Sequence, residues 1–214
     1  FYYQPEFAPE IDALFDRRDQ MGVRTFVNTI ETLANPASAS VHLGSFYHLP
    51  YAKRIIDTFG ASETADIERI VMFQGLEGYD DIRPGSTKVA VWDRGSEIDD
   101  FDIETPDYGM DFESDDLGVD DVAADSAAIT DEVLAGDRGD QFTDAVAVNA
   151  ALRIYAAEDV VDIAEGLDVA NETIESGEPA DRLDELRAFE SLLRRRHAFR
   201  SEDSIRTVHR TRSE

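Results

Sequence analysis

The chain contains no cysteine, which excludes disulfide bridges, thiolate metal sites and a cysteine nucleophile together. Lysine is almost as scarce: of the 20 basic residues only Lys53 and Lys88 are lysines, and the rest are arginines. No apolar run approaches the roughly 20 residues that a membrane-spanning helix needs, so a soluble, cytoplasmic protein with no membrane partner is the expectation. Positive charge is missing altogether between Arg94 and Arg138, where no Lys, Arg or His occurs.

What is abundant is carboxylate. Asp and Glu number 47, for a formal net charge of −27, and a surface so charged repels itself unless counterions screen it. Two readings fit: an acidic protein that binds cations or basic partners, or a halophilic solvation surface. The second is the expected one, and no partner follows from net charge. The carboxylates of residues 97 to 137 match neither an EF-hand loop nor a clustered metal site, and read as a solvated acidic loop.

At 214 residues and 42% hydrophobic content, one domain with a sizeable core is expected. PEIDALFDRRDQMG places Ile11, Leu14 and Phe15 at helical spacing with Gly22 as a stop, and FVNTIETLANP makes a second short helix closed by Asn35-Pro36. SVHLGSF, residues 40 to 46, reads as a strand. PYAKRIIDTFG reads as a helix with Ile55, Ile56 and Phe59 on its apolar side, and RIVMFQG as a strand buried on both faces. Strand, helix, strand in that order predicts a parallel pairing. TKVAVWDRG and EIDDFDIE form a predicted hairpin around Asp93-Arg94-Gly95. From about Val122 the pattern turns helical, with Gly136 and Gly177 at C-cap positions.

After Ser191 the charge reverses. Arg194, Arg195, Arg196 and Arg200 lead a basic tail, residues 191–214. It reads as a flexible segment that contacts nucleic acid or phosphate, or as one that folds back onto the protein's own carboxylates.

Several motifs occur together. RTFVNTIETLANPA resembles the R-T-x-x-N-x-x-G-P-L-x-N-P-A stretch of anthranilate phosphoribosyltransferase, in glycosyltransferase family 3. FYYQPEFAP is similar to that family's F-L-F-A-P-x-x-H-P, TDAVAVNAALRIYAAED to its D-A-V-x-x-N-A-A, and DIAEGLDVANETIESGEPADRLDEL to its closing helices. The resemblance spans about residues 1 to 188. It implies an α/β domain over residues 1–190 with a largely parallel central sheet flanked by helices, like the C-terminal domain of nucleoside phosphorylases and phosphoribosyltransferases. The small N-terminal helical domain and the Gly-rich pyrophosphate loop of the family are expected to lie outside these residues, so that the chain is a fragment.

The family displaces pyrophosphate from phosphoribosyl pyrophosphate (PRPP) with an aromatic amine, using Mg2+, and homodimerises when full length. Carried over by motif position, Arg18 corresponds to the arginine that holds the acceptor's carboxylate, and Asn28 stands at the family's spacing beside the acceptor pocket. Asp80 and Asp81 correspond to the metal carboxylates, with Glu77 as an alternative ligand. Three positions depart from the pattern: Ala8-Pro9 replaces H-P, Glu31-Thr32 replaces G-P, and GLEG replaces D-G-L-D. TIETLANP and QGLEG are closer to a second branch of the family, which lacks clear tryptophan-pathway activity and includes nucleic-acid binders. The resemblance therefore implies a conserved fold with altered specificity.

Overall fold

The structure is a computed structural model that describes residues 7–22, 32–75 and 81–189. The first expected helix is two. Pro9–Asp12 (α1) ends at Ala13, a turn follows, and Phe15–Met21 (α2) carries the chain to Gly22. The apolar spacing of Ile11, Leu14 and Phe15 alone does not reveal this break.

The strands Val41–Phe46 (β1), Arg69–Gln74 (β2), Ser86–Asp93 (β3) and Asp99–Glu104 (β4) form one sheet in the order β1-β2-β3-β4. The helix Leu49–Gly60 (α3) crosses from β1 to β2, and these two strands are parallel, with Phe46 opposite Gln74. The other two pairings are antiparallel. The fold is α/β as expected, but its described sheet has one parallel pair instead of a largely parallel arrangement. The cause is connection length. Residues 75–85 carry no crossover helix among those described, and a parallel return needs a dozen or more residues, usually with such a helix.

Helix α3 carries Pro50 in its first turn, where no amide donor is required. It buries Ala52, Ile55, Ile56 and Phe59 against Phe46, Ile70, Met72 and Ala90. Each fully buried Ile or Phe contributes about 1.5–3 kcal/mol of transfer free energy, so a charge at Ile56 would undo the layer. Strand β2 is buried from Arg69 to Phe73, because both faces of the sheet are covered. On the face away from α3, Tyr155 meets the Phe101 ring edge-on at 5.7 Å, and the Arg69 guanidinium lies 5.1 Å from the Tyr155 centroid. Arg69 is 8% exposed and pairs with Asp93 at 2.8 Å.

The acidic stretch is solvated but is not one loop. It contains β4, whose Asp99, Asp100, Asp102 and Glu104 are exposed while Ile103 is buried, and the helix Val122–Leu134 (α4). Lys88 bridges Asp100 and Asp102 at 2.8 and 3.2 Å, and these hydrogen-bonded carboxylates raise its pKa. A charged outer strand of this kind also discourages edge-to-edge pairing with other chains.

The chain divides into two units, residues 1–118 with 148–167, and residues 119–147 with 168–214. The sheet belongs to the first. The helices Gln141–Ala156 (α5) and Ile163–Ser176 (α6) contribute residues to both. Within the second unit Gly136 ends α4 at φ 74°, and a Cβ there would lie 2.8 Å from the Ile174 carbonyl oxygen. Only glycine meets both demands. A last helix runs from residue 178 to residue 189, the end of the described chain. No helix among the described residues is long and apolar enough to cross a membrane.

Candidate functional site

In open α/β sheets, ligands bind beyond the carboxyl ends of parallel strands. Here those ends are Phe46 and Gln74, side by side. After β2 the chain enters the acidic segment that contains Glu77, Asp80 and Asp81, and both sides of that segment are tied down.

Before it, the Gln74 Nε2 donates to the Tyr47 carbonyl oxygen at 3.1 Å, which links the end of β2 to the residue after β1. After it, the Ile82 amide donates to Asn149 Oδ1 at 3.0 Å. Arg83 completes the frame. Its Nη2 donates to Gln74 Oε1 at 3.2 Å and to the Ser86 carbonyl at 2.9 Å, and its amide donates to the buried Thr87 hydroxyl at 2.9 Å. Asp81, next to the pinned Ile82, is exposed. A carboxylate on an anchored backbone with its side chain open to solvent is ready to meet a ligand with little further ordering cost.

A second segment comes to the same end of the sheet. Tyr51, in the first turn of α3, donates from its hydroxyl to Thr32 Oγ1 at 3.4 Å, and Leu33 packs on the α3 core. The following turn is closed by Asn35, whose Oδ1 accepts from the Ala39 amide at 2.9 Å while its Nδ2 donates to the Ala39 carbonyl at 2.8 Å. The TLANPA stretch, residues 32–37, is thereby fixed against the helix that starts at the carboxyl end of β1. Thr32, one of the departures from the family pattern, stands at that end.

The expected site residues separate as follows. Asp81 lies at the carboxyl end of β2. Arg18 lies on α2, with its side chain outside the described residues. Asn28, Glu77 and Asp80 are outside the described residues, as are Arg194, Arg195, Arg196 and Arg200. The sequence reading missed the supporting residues Gln74 and Arg83. Asn149 stands within the D-A-V-x-x-N-A-A motif, and an Asn in the otherwise apolar run from Ala145 to Leu152 was the signal that could have found it.

Among the described residues no group of three or more His, Cys, Asp or Glu is placed to hold a metal ion. That excludes a cage built from those residues. Mg2+ is commonly held by one or two carboxylates together with water and substrate phosphates, and the exposed Asp81 is a hard oxygen donor of that kind. His42 sits on β1, half-buried against Phe59 with ring centroids 4.7 Å apart, and burial pushes its pKa down.

A cavity of about 490 Å³ is lined by Pro84, Gly85 and Met110 together with the carboxylate residues Asp111, Glu113 and Asp115. Three carboxylates make it a poor receptor for phosphate.

Residues 1–180 match the family described as glycosyl transferase family, a/b domain. Among characterised proteins, the anthranilate phosphoribosyltransferase of Aromatoleum aromaticum is 29% identical over 195 residues, covering 88% of this chain and 54% of that protein. The enzyme of the same name from Burkholderia thailandensis is 27% identical over 198 residues, covering 91% and 56%. Among solved structures, the anthranilate phosphoribosyltransferase of Thermus thermophilus superposes with a TM-score of 0.67 at 25% identity, covering 85% of this chain and 52% of that one. A variant of the Saccharomyces cerevisiae enzyme with Mg bound reaches 0.67 at 21% identity, covering 81% and 50%, and supports the fold. The chain spans about half the length of the relatives it matches.

Proposed function

The chain belongs to the glycosyl transferase family whose a/b domain matches residues 1–180, and from that premise we propose that the protein transfers a phosphoribosyl group from PRPP to an aromatic amine. The observation that carries this reading is the anchoring of the acidic segment beyond β2, by Gln74 on one side and Asn149 on the other.

In the proposed reaction the amine nitrogen forms a bond to C1 of the ribose. The C1–O bond to pyrophosphate breaks, and the amine's proton leaves to solvent. No covalent intermediate on the protein is needed. Bound Mg2+ would neutralise charge on the departing pyrophosphate. Asp81 would hold it, with Asp80 and Glu77 as further oxygen donors. The task of the chain is then positioning, for which a pinned backbone on both sides of the carboxylates is the appropriate construction.

Arg18 takes the role of the guanidinium that grips the acceptor, as a planar fork suited to a carboxylate, and Asn28 that of its neighbour in the pocket wall. Glu31 and Thr32 adjust this grip. A carboxylate where relatives have glycine repels an anionic acceptor, so an aromatic amine less anionic than anthranilate is favoured. Introducing the full-length gene into a strain that lacks anthranilate phosphoribosyltransferase tests the acceptor. Growth without tryptophan would assign anthranilate and refute altered specificity; no growth, together with PRPP turnover on another aromatic amine, is the expected result.

A further inference from the structure

Among the described residues, the other partly buried cations have carboxylate partners. Arg69 pairs with Asp93 at 2.8 Å, Lys88 with Asp100 at 2.8 Å, and Arg138 with Glu132 at 2.6 Å. Arg83 does not. It is half-buried, yet among the described residues its guanidinium bonds neutral oxygens alone, Gln74 Oε1 and the Ser86 carbonyl, both through Nη2. Its Nε is buried without an acceptor. A guanidinium has five N–H donors, so most of its capacity is uncommitted among the described residues.

Leaving a partly buried charge uncompensated costs stability, and such a group is retained most readily where a ligand supplies the missing charge. The location identifies the ligand's sign and place. Arg83 follows Asp81 by two residues at the carboxyl end of the parallel pair. Its backbone is clamped by Thr87 in both directions, at 2.9 and 3.4 Å, and the preceding amide by Asn149. The neighbouring cavity, with its three carboxylates, offers an anion no alternative.

We propose that Arg83 is a substrate-binding residue of this site, whose guanidinium takes a pyrophosphate oxygen of PRPP beside the carboxylate-held Mg2+. This rests on the phosphoribosyl-transfer reading and adds to it a cation supplied by this chain. Gln74 then acts as a positioning residue, holding the Arg83 fork while leaving its remaining donors free.

The test is calorimetric titration of inorganic pyrophosphate with Mg2+ into the full-length protein and its Arg83→Gln and Arg83→Lys variants, with the melting temperature of each recorded without ligand. Loss of a charge-assisted contact is expected to weaken pyrophosphate binding at least about tenfold in Arg83→Gln and by a smaller factor in Arg83→Lys. Wild-type binding with unchanged affinity in Arg83→Gln overturns the inference and leaves the phosphoribosyl-transfer reading standing. Absence of pyrophosphate and PRPP binding by the wild type overturns both. Should Arg83→Gln fail to fold, Arg83→Lys decides: reduced affinity in a folded protein supports the inference, and wild-type affinity refutes it.

Discussion

Replacing Asn149 by alanine removes the acceptor that holds the far side of the acidic segment, and its consequences can be worked from the structure. The Ile82 amide donates to Asn149 Oδ1 at 3.0 Å, and Ile82 is 7% exposed, so water does not readily replace the lost partner. An unsatisfied buried N–H costs about 1–3 kcal/mol. The substitution returns roughly 0.5 kcal/mol because alanine is the better helix former, which leaves a net loss of about 0.5–2.5 kcal/mol. For a chain of this size each kcal/mol lowers the melting temperature by about 2–4 °C, giving an expected drop of about 1–10 °C. The local signature is sharper. Hydrogen exchange at the Ile82 amide should accelerate in Asn149→Ala, and PRPP turnover should fall about tenfold or more as Asp81 loses its placement. Asn149→Asp keeps an oxygen acceptor and should retain most of the protection. Unchanged exchange at Ile82 in Asn149→Ala would refute the reasoning, whatever the melting temperature does.

Other sites give independent checks. Gly136→Ala forces a side chain into a left-handed backbone and to within 2.8 Å of the Ile174 carbonyl; with about 1–2 kcal/mol for the conformation and about 1–3 for the overpacking, denaturant unfolding should show a loss of at least about 2 kcal/mol, and a stabilised variant would contradict the described turn. Burial lowers the His42 pKa, so as pH falls below about 6.5 the unfolded chain takes up a proton more readily than the folded chain. Stability contributed by neutral His42 is thus complete above that pH and is lost as pH falls. Unfolding measured from pH 7.5 to 5.5 should decline less steeply in His42→Gln than in the wild type, and parallel curves would show that His42 is not the buried group assumed.

Much of the fold was legible because its signals are local. Pro50 and the spacing of Ile55, Ile56 and Phe59 marked α3, the unbroken apolar run from Ile70 to Phe73 marked a strand covered on both faces, and Asp93-Arg94-Gly95 marked the hairpin. Gly136 and Gly177, both at positive φ, marked two helix ends. The direction of the one remaining pairing, β2 with β3, was not legible in this way, because it depends on what residues 75–85 do between the two strands, and their composition does not prescribe a reversal. The break at Ala13 has no glycine or proline to announce it. At the site, Asp81 was named from its motif, whereas Arg83 and Gln74 become visible only when β1, β2 and β3 are brought together: the contact from Gln74 to Tyr47 spans 27 positions and that from Ile82 to Asn149 spans 67.

The central claim, phosphoribosyl transfer at the anchored acidic segment, is tested most directly by following PRPP with the full-length protein, Mg2+ and a panel of aromatic amines by phosphorus NMR. The account requires pyrophosphate and a new phosphoribosyl species to form in equal amounts, only with an amine present, and to be slowed at least about tenfold in Asp81→Asn. PRPP that stays intact across the panel, or turnover that is indifferent to Asp81, would contradict it.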